Sequence, residues 1–436
     1  MDFLKTVLQV VSGFTGLCLT AMMLYQLVLT LFGFKKNTKD YADHAPASRF
    51  LILVPAHNEE RVIGDIVSNL QRMDYPKELY DFYVIADNCT DGTADAARKL
   101  GAKVIETCKE SPDAPTGKSV ALRKALDSLG DYEKHYDLMM VFDADNLMDV
   151  NMLREVNSQY LDKGKPELIQ CYLGAKNKKG VVAWSYYSGY TLTNRFFDLS
   201  KHRLGLNCVI GGTGFAMSTA YLRERGGWFT KSLTEDLELQ VEATLDGKRV
   251  LWNHNTRVYD EKPTSLRASI RQKIRWGQGH WYVAFHHTGD VFRALHSGKI
   301  GLGEFVSVLT YIYSIAIYVL AVVQAASALA LSLLSTGTIE MNVSLSGILL
   351  GLALFCYSFL FLFYLADWID NRIAFDVRTI PVMIGGVLLT SLVCFFNEFV
   401  GLARWRDQQH WVKTEHALGG AQTVSQHAPA LRREAA

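Results

Sequence analysis

At 436 residues the chain is long for one soluble core, and two or three structural units are expected. Its 45 Lys and Arg offset 44 Asp and Glu, which excludes a nucleic-acid partner held by a field of one sign. Apolar residues make up 49% of the chain, and they crowd toward its two ends. The seven cysteines form no CxxC pair and no metal-ligand spacing, so they read as small apolar residues in a reducing compartment.

Residues 4 to 33 carry no charge after Lys5 and exceed the roughly 20 residues that a bilayer crossing requires. The run ends in bulky LFGF rather than at a small-residue cleavage site, so residues 1–34 read as a membrane anchor and not a signal peptide. Lys35, Lys36 and Lys39 then place the next segment in the cytosol by the positive-inside bias. Over 48–262, apolar runs (RFLILVPA, DFYVIADN, AKVIET, DLMMVFDAD) alternate with helical stretches such as NEERVIGDIVSNLQRM, 92–100 and 117–128. That alternation predicts βαβ units on a mostly parallel sheet, an α/β fold. Across 263–300, Arg267, Arg271, Lys273 and Arg275 interleave with Trp276, Trp281, Tyr282, Phe285 and Phe292, the composition of an interfacial helix; an ordinary cytosolic helix is the plainer alternative. Region 301–403 holds three apolar segments, near 304–334, 346–366 and 380–403. Three crossings would put the 404–436 tail outside, whereas Arg404, Arg406 and Lys413 argue for inside, so either one segment is re-entrant or interfacial or the charge bias fails. The tail beyond Gly419 is small and polar and reads as disordered.

The chemistry gathers at predicted strand ends. LMMVFDADN (138–146) ends in two carboxylates one residue apart, Asp143 and Asp145. Ligands of open α/β sheets collect at the carboxyl ends of strands, and an acid pair at such a bend can hold a hard divalent cation. Taken alone, such a pair is more often solvated or caps a helix. PAHNEE (55–60) and ADNCTDGT (86–93) end two further strands at the same edge, bringing Pro55, Glu59 and Asp87 there. Asp87 and Glu59 can accept from a base N–H or a ribose hydroxyl, while Asn58 and Thr90 or Asp91 read as helix caps. Gly117 and Lys118 open a helix without the earlier glycine of a P-loop, which excludes that motif. Lys118 either touches a diphosphate at the helix start or is simply exposed.

Farther on lie VIGGTGFAM (209–217) and SLTEDLEL (232–239). Thr234, Glu235 and Asp236 standing alone would be a capping box with first-turn acids. In RQKIRWGQ (271–278), Gln272, Arg275 and Trp276 fall at i, i+3 and i+4, which groups an amide, a fixed cation and an indole on one helical face. His286 and His287 lack an HExxH context and read as polar residues near a membrane surface.

The ordered series Asp87, Asp143-x-Asp145, Thr234-Glu235-Asp236 and Gln272-x-x-Arg275-Trp276 resembles the family 2 inverting glycosyltransferases, in the processive membrane type of cellulose, chitin, hyaluronan and poly-N-acetylglucosamine synthases. The resemblance implies a Rossmann-like GT-A domain, cytosolic and attached to transmembrane and interfacial helices, in a multi-pass protein of a bacterial-type plasma membrane. It implies a UDP-sugar donor (UDP-glucose or UDP-N-acetylglucosamine), a growing β-linked glycan as acceptor, and a lipid bilayer around the helices. Pro55, Glu59, Asp87, Lys118, Asp143 and Arg275 would bind the nucleotide sugar, and Asp143 and Asp145 would hold Mg2+ or Mn2+. Asp236, with Glu235, would carry the catalysis as general base. Gly212, Thr213, Gly214, Gln272 and Trp276 would meet the acceptor, with Trp276 and Trp281 stacking on sugar rings. Trp411, Thr414 and His416 would echo a gating motif. The alternatives are transfer of one sugar to a polyprenyl phosphate or lipid, and a non-catalytic receptor; the intact acids at Asp143, Asp145 and Asp236 count against the receptor.

Overall fold

A computed structural model describes residues 2–111, 114–336, 345–372 and 375–408. Eight strands form its one described sheet: β1 Phe50–Ala56, β2 Tyr80–Asp87, β3 Lys103–Thr107, β4 Leu138–Val141, β5 Leu147–Met148, β6 Leu168–Ala175, β7 Phe215–Ser218 and β8 Val250–Asp260. Their order is β3-β2-β1-β4-β7-β6-β8-β5. Pairings β1–β2, β1–β4, β2–β3 and β6–β8 are parallel, whereas β7 runs antiparallel to both neighbours and β5 antiparallel to β8. The sheet is therefore mixed on one side and parallel on the other.

Alternation along a strand builds two cores. Phe50, Ile52 and Val54 pack with helices Ile63–Gln71 and Met152–Asp162 on one face. Leu51 and Leu53 pack on the other with helices Lys118–Leu129 and Glu235–Leu245. Two helices sharing a face thus start with Lys118 and with Glu235 and Asp236, which is what brings those side chains to one place. The first helix after β1 begins only at Ile63. Asn58 is not its cap: it sits in a turn with φ of 57°, and its side-chain oxygen accepts from the Thr90 backbone N–H at 2.7 Å.

Among the described residues, four helices are long and apolar enough to cross a membrane: Asp2–Gly33, Ile317–Ser335, Leu350–Asn371 and Val377–Ala403. The segment expected near 304–334 is broken, a short helix Leu302–Ile312 turning through Ser314–Ala316 into Ile317–Thr336. Helix Asp2–Gly33 lies antiparallel to it, since Tyr25 donates to Ser307 (3.1 Å) while Gln324 donates to Ser12 (3.0 Å). The basic and aromatic stretch is one helix, Leu266–His296.

Candidate active site

The carboxyl ends of β1, β2 and β4 open on a cleft of about 1460 Å³. Pro55, Glu59, Asp87, Lys118, Asp143, Asp145, Gly212, Thr213, Glu235, Asp236, Gln272, Arg275 and Trp276 all line it. Gly214, grouped with its neighbours from the sequence, does not. Its N–H donates to the Val141 carbonyl and its carbonyl accepts from Cys171, and a methyl there would strike Val258 at 2.3 Å. It is a packing position between strands. Trp281 is also absent from the cleft: it is buried, stacked on Phe285 with centroids 5.3 Å apart. Trp411, Thr414, His416 and the tail beyond Gly419 lie outside the described residues.

At the β2 end of the cleft Asp87 is held by its neighbours. Its Oδ1 accepts from Thr107 Oγ1 and Asn88 Nδ2, both at 2.8 Å, and its carbonyl contacts His57 Nδ1 at 2.7 Å. The turn after β4 is knotted by Asn146. The Asn146 amide oxygen accepts the Asp143 N–H at 3.0 Å and the Thr213 hydroxyl, while its NH2 donates to Asp145 Oδ1 at 3.1 Å. Asp145 Oδ2 accepts the Glu261 N–H at 3.0 Å. Asp145 is buried, whereas the Asp143 side chain is 45% exposed toward the cleft.

Lys118 ties the two halves of the site together. Its ammonium donates to Asp143 Oδ1 at 2.5 Å and to the Gly212 carbonyl at 2.6 Å. Gly212 has φ of +76°, and a methyl there would come within 3.0 Å of Asp236 Oδ2, so the glycine lets the loop turn close against that carboxylate. Burial pulls the Lys118 ammonium down, but Asp143, Glu235 and Asp236 outweigh it and keep the group above its ordinary value. Asp236 goes the other way. Burial first, and then the negative charge of Glu235, push its carboxyl up to about 7, against the pull of the Leu237 N–H and of Lys118.

The Thr234 side chain makes no capping bond, so the capping-box reading fails. The loop is fixed from elsewhere. Glu238 Oε2 accepts the Lys231 and Ser232 N–H groups at 2.8 and 2.6 Å, and Gln408 Oε1 accepts the Leu233 N–H at 2.7 Å. Glu238, Glu242 and His287 come together closely enough for an ion, but Glu238 serves this loop and Glu242 pairs with Arg225. On helix Leu266–His296, Trp276 lies edge-on to Tyr186 at 6.2 Å, with the Lys273 ammonium 4.9 Å from the Tyr186 ring and 5.5 Å from the Trp276 ring. Gln272 Oε1 is buried with no hydrogen-bond partner.

Several wall residues were not picked out from the sequence as part of a site: Tyr186, Tyr190, Thr390, Asp407, Gln408 and Arg406, the last read only as a basic flank. Thr390 and Arg406 to Gln408 follow Trp276 by more than 100 positions, and no local pattern marks them. Tyr190 does carry a signal in retrospect, standing four residues beyond Tyr186 on one helix, Gly180–Thr193.

A strand-edge acid turn, a buried carboxylate and an aromatic wall share one cleft, an arrangement that suits a glycosyltransferase of the GT-A fold. The family model described as "Glycosyltransferase like family 2" matches residues 46–279, and the chain belongs to that family. The "Probable glycosyltransferase YdaM" of Bacillus subtilis is 26% identical over 301 residues, covering 62% of this chain and 66% of that protein. A "Beta-monoglucosyldiacylglycerol synthase" of Synechocystis is 27% identical over 247 residues, 55% of this chain and 49% of that one. The chain therefore spans about two thirds and one half of the lengths of these relatives. Among solved structures, the mannosyltransferase PcManGT of Pyrobaculum calidifontis, in complex with GDP-Man and Mn2+, superposes with a TM-score of 0.55 at 17% identity, covering 91% of this chain and 99% of that chain, a likeness of fold.

Proposed function

We propose that this chain is an inverting, metal-dependent β-glycosyltransferase that moves a hexose from a UDP-sugar to a growing β-linked glycan at the membrane face. One observation carries the reading: Asp87, the Lys118–Asp143 pair, Asp236 and Trp276 share a single cleft. Asp87 and Glu59 would take the uridine, and Lys118 and Arg275 the diphosphate. Asp143 and Asp145 offer hard carboxylate oxygens suited to Mg2+ or Mn2+, and Asp143 already carries a cationic partner in Lys118. The bound ion would offset charge on the departing diphosphate.

The remaining work falls to the chain's own groups. Asp236, near neutral pKa, accepts the proton of the acceptor hydroxyl as that oxygen attacks the anomeric carbon. The bond to the diphosphate breaks in the same displacement, UDP leaves, and an α-linked donor yields a β-linked product. Glu235 keeps Asp236 basic enough to take the proton. Lys118 and Arg275 stabilise the leaving group electrostatically. Trp276 and Tyr186 supply the aromatic faces on which a sugar ring packs. The boundaries assigned from the sequence, anchor 1–34, catalytic unit 48–262 and interfacial segment 263–300, belong to the same proposal, as does a cytosolic catalytic side at a bacterial-type plasma membrane.

A second reading, one sugar moved to a lipid hydroxyl, is favoured by Thr390, which brings an apolar helix into the cleft wall. The Synechocystis relative is named for a lipid product. Helices Asp2–Gly33 and Ile317–Ser335 are each buried over only 6% of their apolar windows, leaving apolar faces on which a lipid acceptor can approach. Purified protein given UDP-glucose, UDP-N-acetylglucosamine and other UDP-sugars, with and without Mn2+, should release UDP with one of them. Radiolabel in a long, gel-resolved polymer supports the first reading. Label confined to an organic-soluble monoglycosylated lipid overturns it in favour of the second.

A further inference from the structure

The helix Ile380–Ala403 has the length and composition of a membrane crossing, yet its contacts are not those of one. Near its start, Thr379 meets the Tyr364 hydroxyl, Met383 packs against Tyr187 and Phe363, and Gly386 lies so close to Val181 that a methyl would be 3.0 Å from that residue's carbonyl. Near its end, Asn397 donates to the Ile270 carbonyl at 3.3 Å, and Gly401 passes against Gly277, where a methyl would meet backbone at 2.8 Å. Just beyond the helix, Gln278 donates to the Asp407 carbonyl (3.2 Å) and Gln408 to the Gln278 carbonyl (3.2 Å). Both ends thus rest on helices Gly180–Thr193 and Leu266–His296, which form walls of the cleft. A perpendicular helix of 24 residues would carry one end ~36 Å away.

The remaining face tells what covers it. Leu388, Leu392 and Phe396, spaced by four and therefore stacked on one side, are 39, 55 and 60% exposed, while Met383, Gly386, Val387, Val393, Asn397, Glu398 and Gly401 are buried. The preceding helix Leu345–Asn371 returns to the catalytic domain, because Asp367 and Asp370 at its end bind Tyr187 and Arg195. The exposed stripe therefore belongs to a helix whose chain neighbour, itself long and apolar enough to cross a membrane, ends against the catalytic domain.

We propose that Ile380–Ala403 lies in the catalytic-side leaflet, with Leu388, Leu392 and Phe396 set into its acyl region, and does not cross. The chain then crosses three times, through Asp2–Gly33, Ile317–Thr336 and Leu345–Asn371. Arg404 to Gln408 sit on the side of the catalytic cleft, which removes the conflict between crossing number and basic flank. The helix covers the cleft as a lid resting on lipid, a role independent of the sugar or acceptor used.

Two measurements on the full chain in proteoliposomes test this without reference to catalysis. First, an epitope appended after Ala436 of the otherwise unaltered chain is compared for sidedness with one placed in the Gly130–Asp131 turn of the catalytic domain. Exposure on the same side is expected; opposite sides overturn the proposal. Second, fluorophores at L388C, L392C and F396C, each in a chain whose native cysteines are replaced, are quenched by lipids brominated at graded depth. Equal, shallow depths are expected. A crossing helix would separate the first and last label by about 12 Å, and that result overturns the proposal.

Discussion

In the proposed reaction Asp236 is the base, and its environment makes a prediction with a definite sign. A carboxyl raised to about 7 by burial and by Glu235 is protonated below that pH and cannot act as base. kcat/KM should therefore rise as pH increases through about 7, the limb belonging to the free enzyme. Glu235→Gln removes the like charge and should move this limb to lower pH, whereas Lys118→Met removes the opposing charge and should move it up. A limb unmoved by both changes would show that another group is being titrated. Asp236→Asn should lower kcat by about 10²- to 10⁴-fold, the usual worth of a general base, with UDP binding by calorimetry retained. Asp143, Asp145 and Asp236 are legible in the sequence because each belongs to a short motif at a strand end or helix start. Gly212 and Gly214 are not separable that way: two residues apart, one turns against Asp236 and the other packs under Val258, and only the register of β4 against β7 decides which.

At the scale of elements, the loop ahead of Asp236 is shaped by contacts from three separate segments. Glu238 holds it from within its own helix, Gln408 from the end of the chain's last described helix, and Gly279 by closeness, since a methyl there would lie 2.3 Å from Thr234 Oγ1. Gly279→Ala should displace Thr234 and cost more activity than stability, read as a fall in kcat with an almost unchanged melting temperature. Gln408→Ala removes the acceptor of the Leu233 N–H together with its own donations to the Gln278 and Trp405 carbonyls; losing the Leu233 contact, worth ~1 kcal/mol, lowers kcat/KM by at least about five-fold. No change would mean that the Leu233 contact does not position the base. Trp276→Ala should reduce sugar transfer to the acceptor more than hydrolysis of the donor, and equal loss of both would remove Trp276 from the acceptor side. The sequence reading set Trp276 and Trp281 together on sugar rings, and only Trp276 reaches the cleft; helical period carries the reason, since five residues turn the helix by about 140° from the first face. The part played by residues 404–408 was not readable, because nothing in a short polar stretch records which distant loop it will meet.

Across the whole molecule, the helices are fastened to the catalytic domain through a buried ionic clasp. Arg195, fully buried, pairs with Asp370 and donates to the Lys35 carbonyl at 2.8 Å; His254 Nε2 lies 3.1 Å from Asp370, and Arg257 donates to the Asp370 carbonyl at 2.6 Å. One cluster therefore joins the end of the anchor, helix Gly180–Thr193 with its continuation, strand β8 and the returning helix. Hydropathy located the apolar segments but was blind to this joint, whose members are polar residues scattered from Lys35 to Asp370. Removing one partner strands the other charge away from water, so Asp370→Ala should destabilise by about 3–5 kcal/mol, seen as a lowered unfolding temperature in detergent. The paired change Arg195→Met with Asp370→Leu should recover much of that loss, because an apolar pair of similar volume carries no unpaired charge. If the double variant is no more stable than the single one, the cost lies in lost packing or in the Lys35 contact, and the ion pair is not what couples the anchor to the catalytic fold.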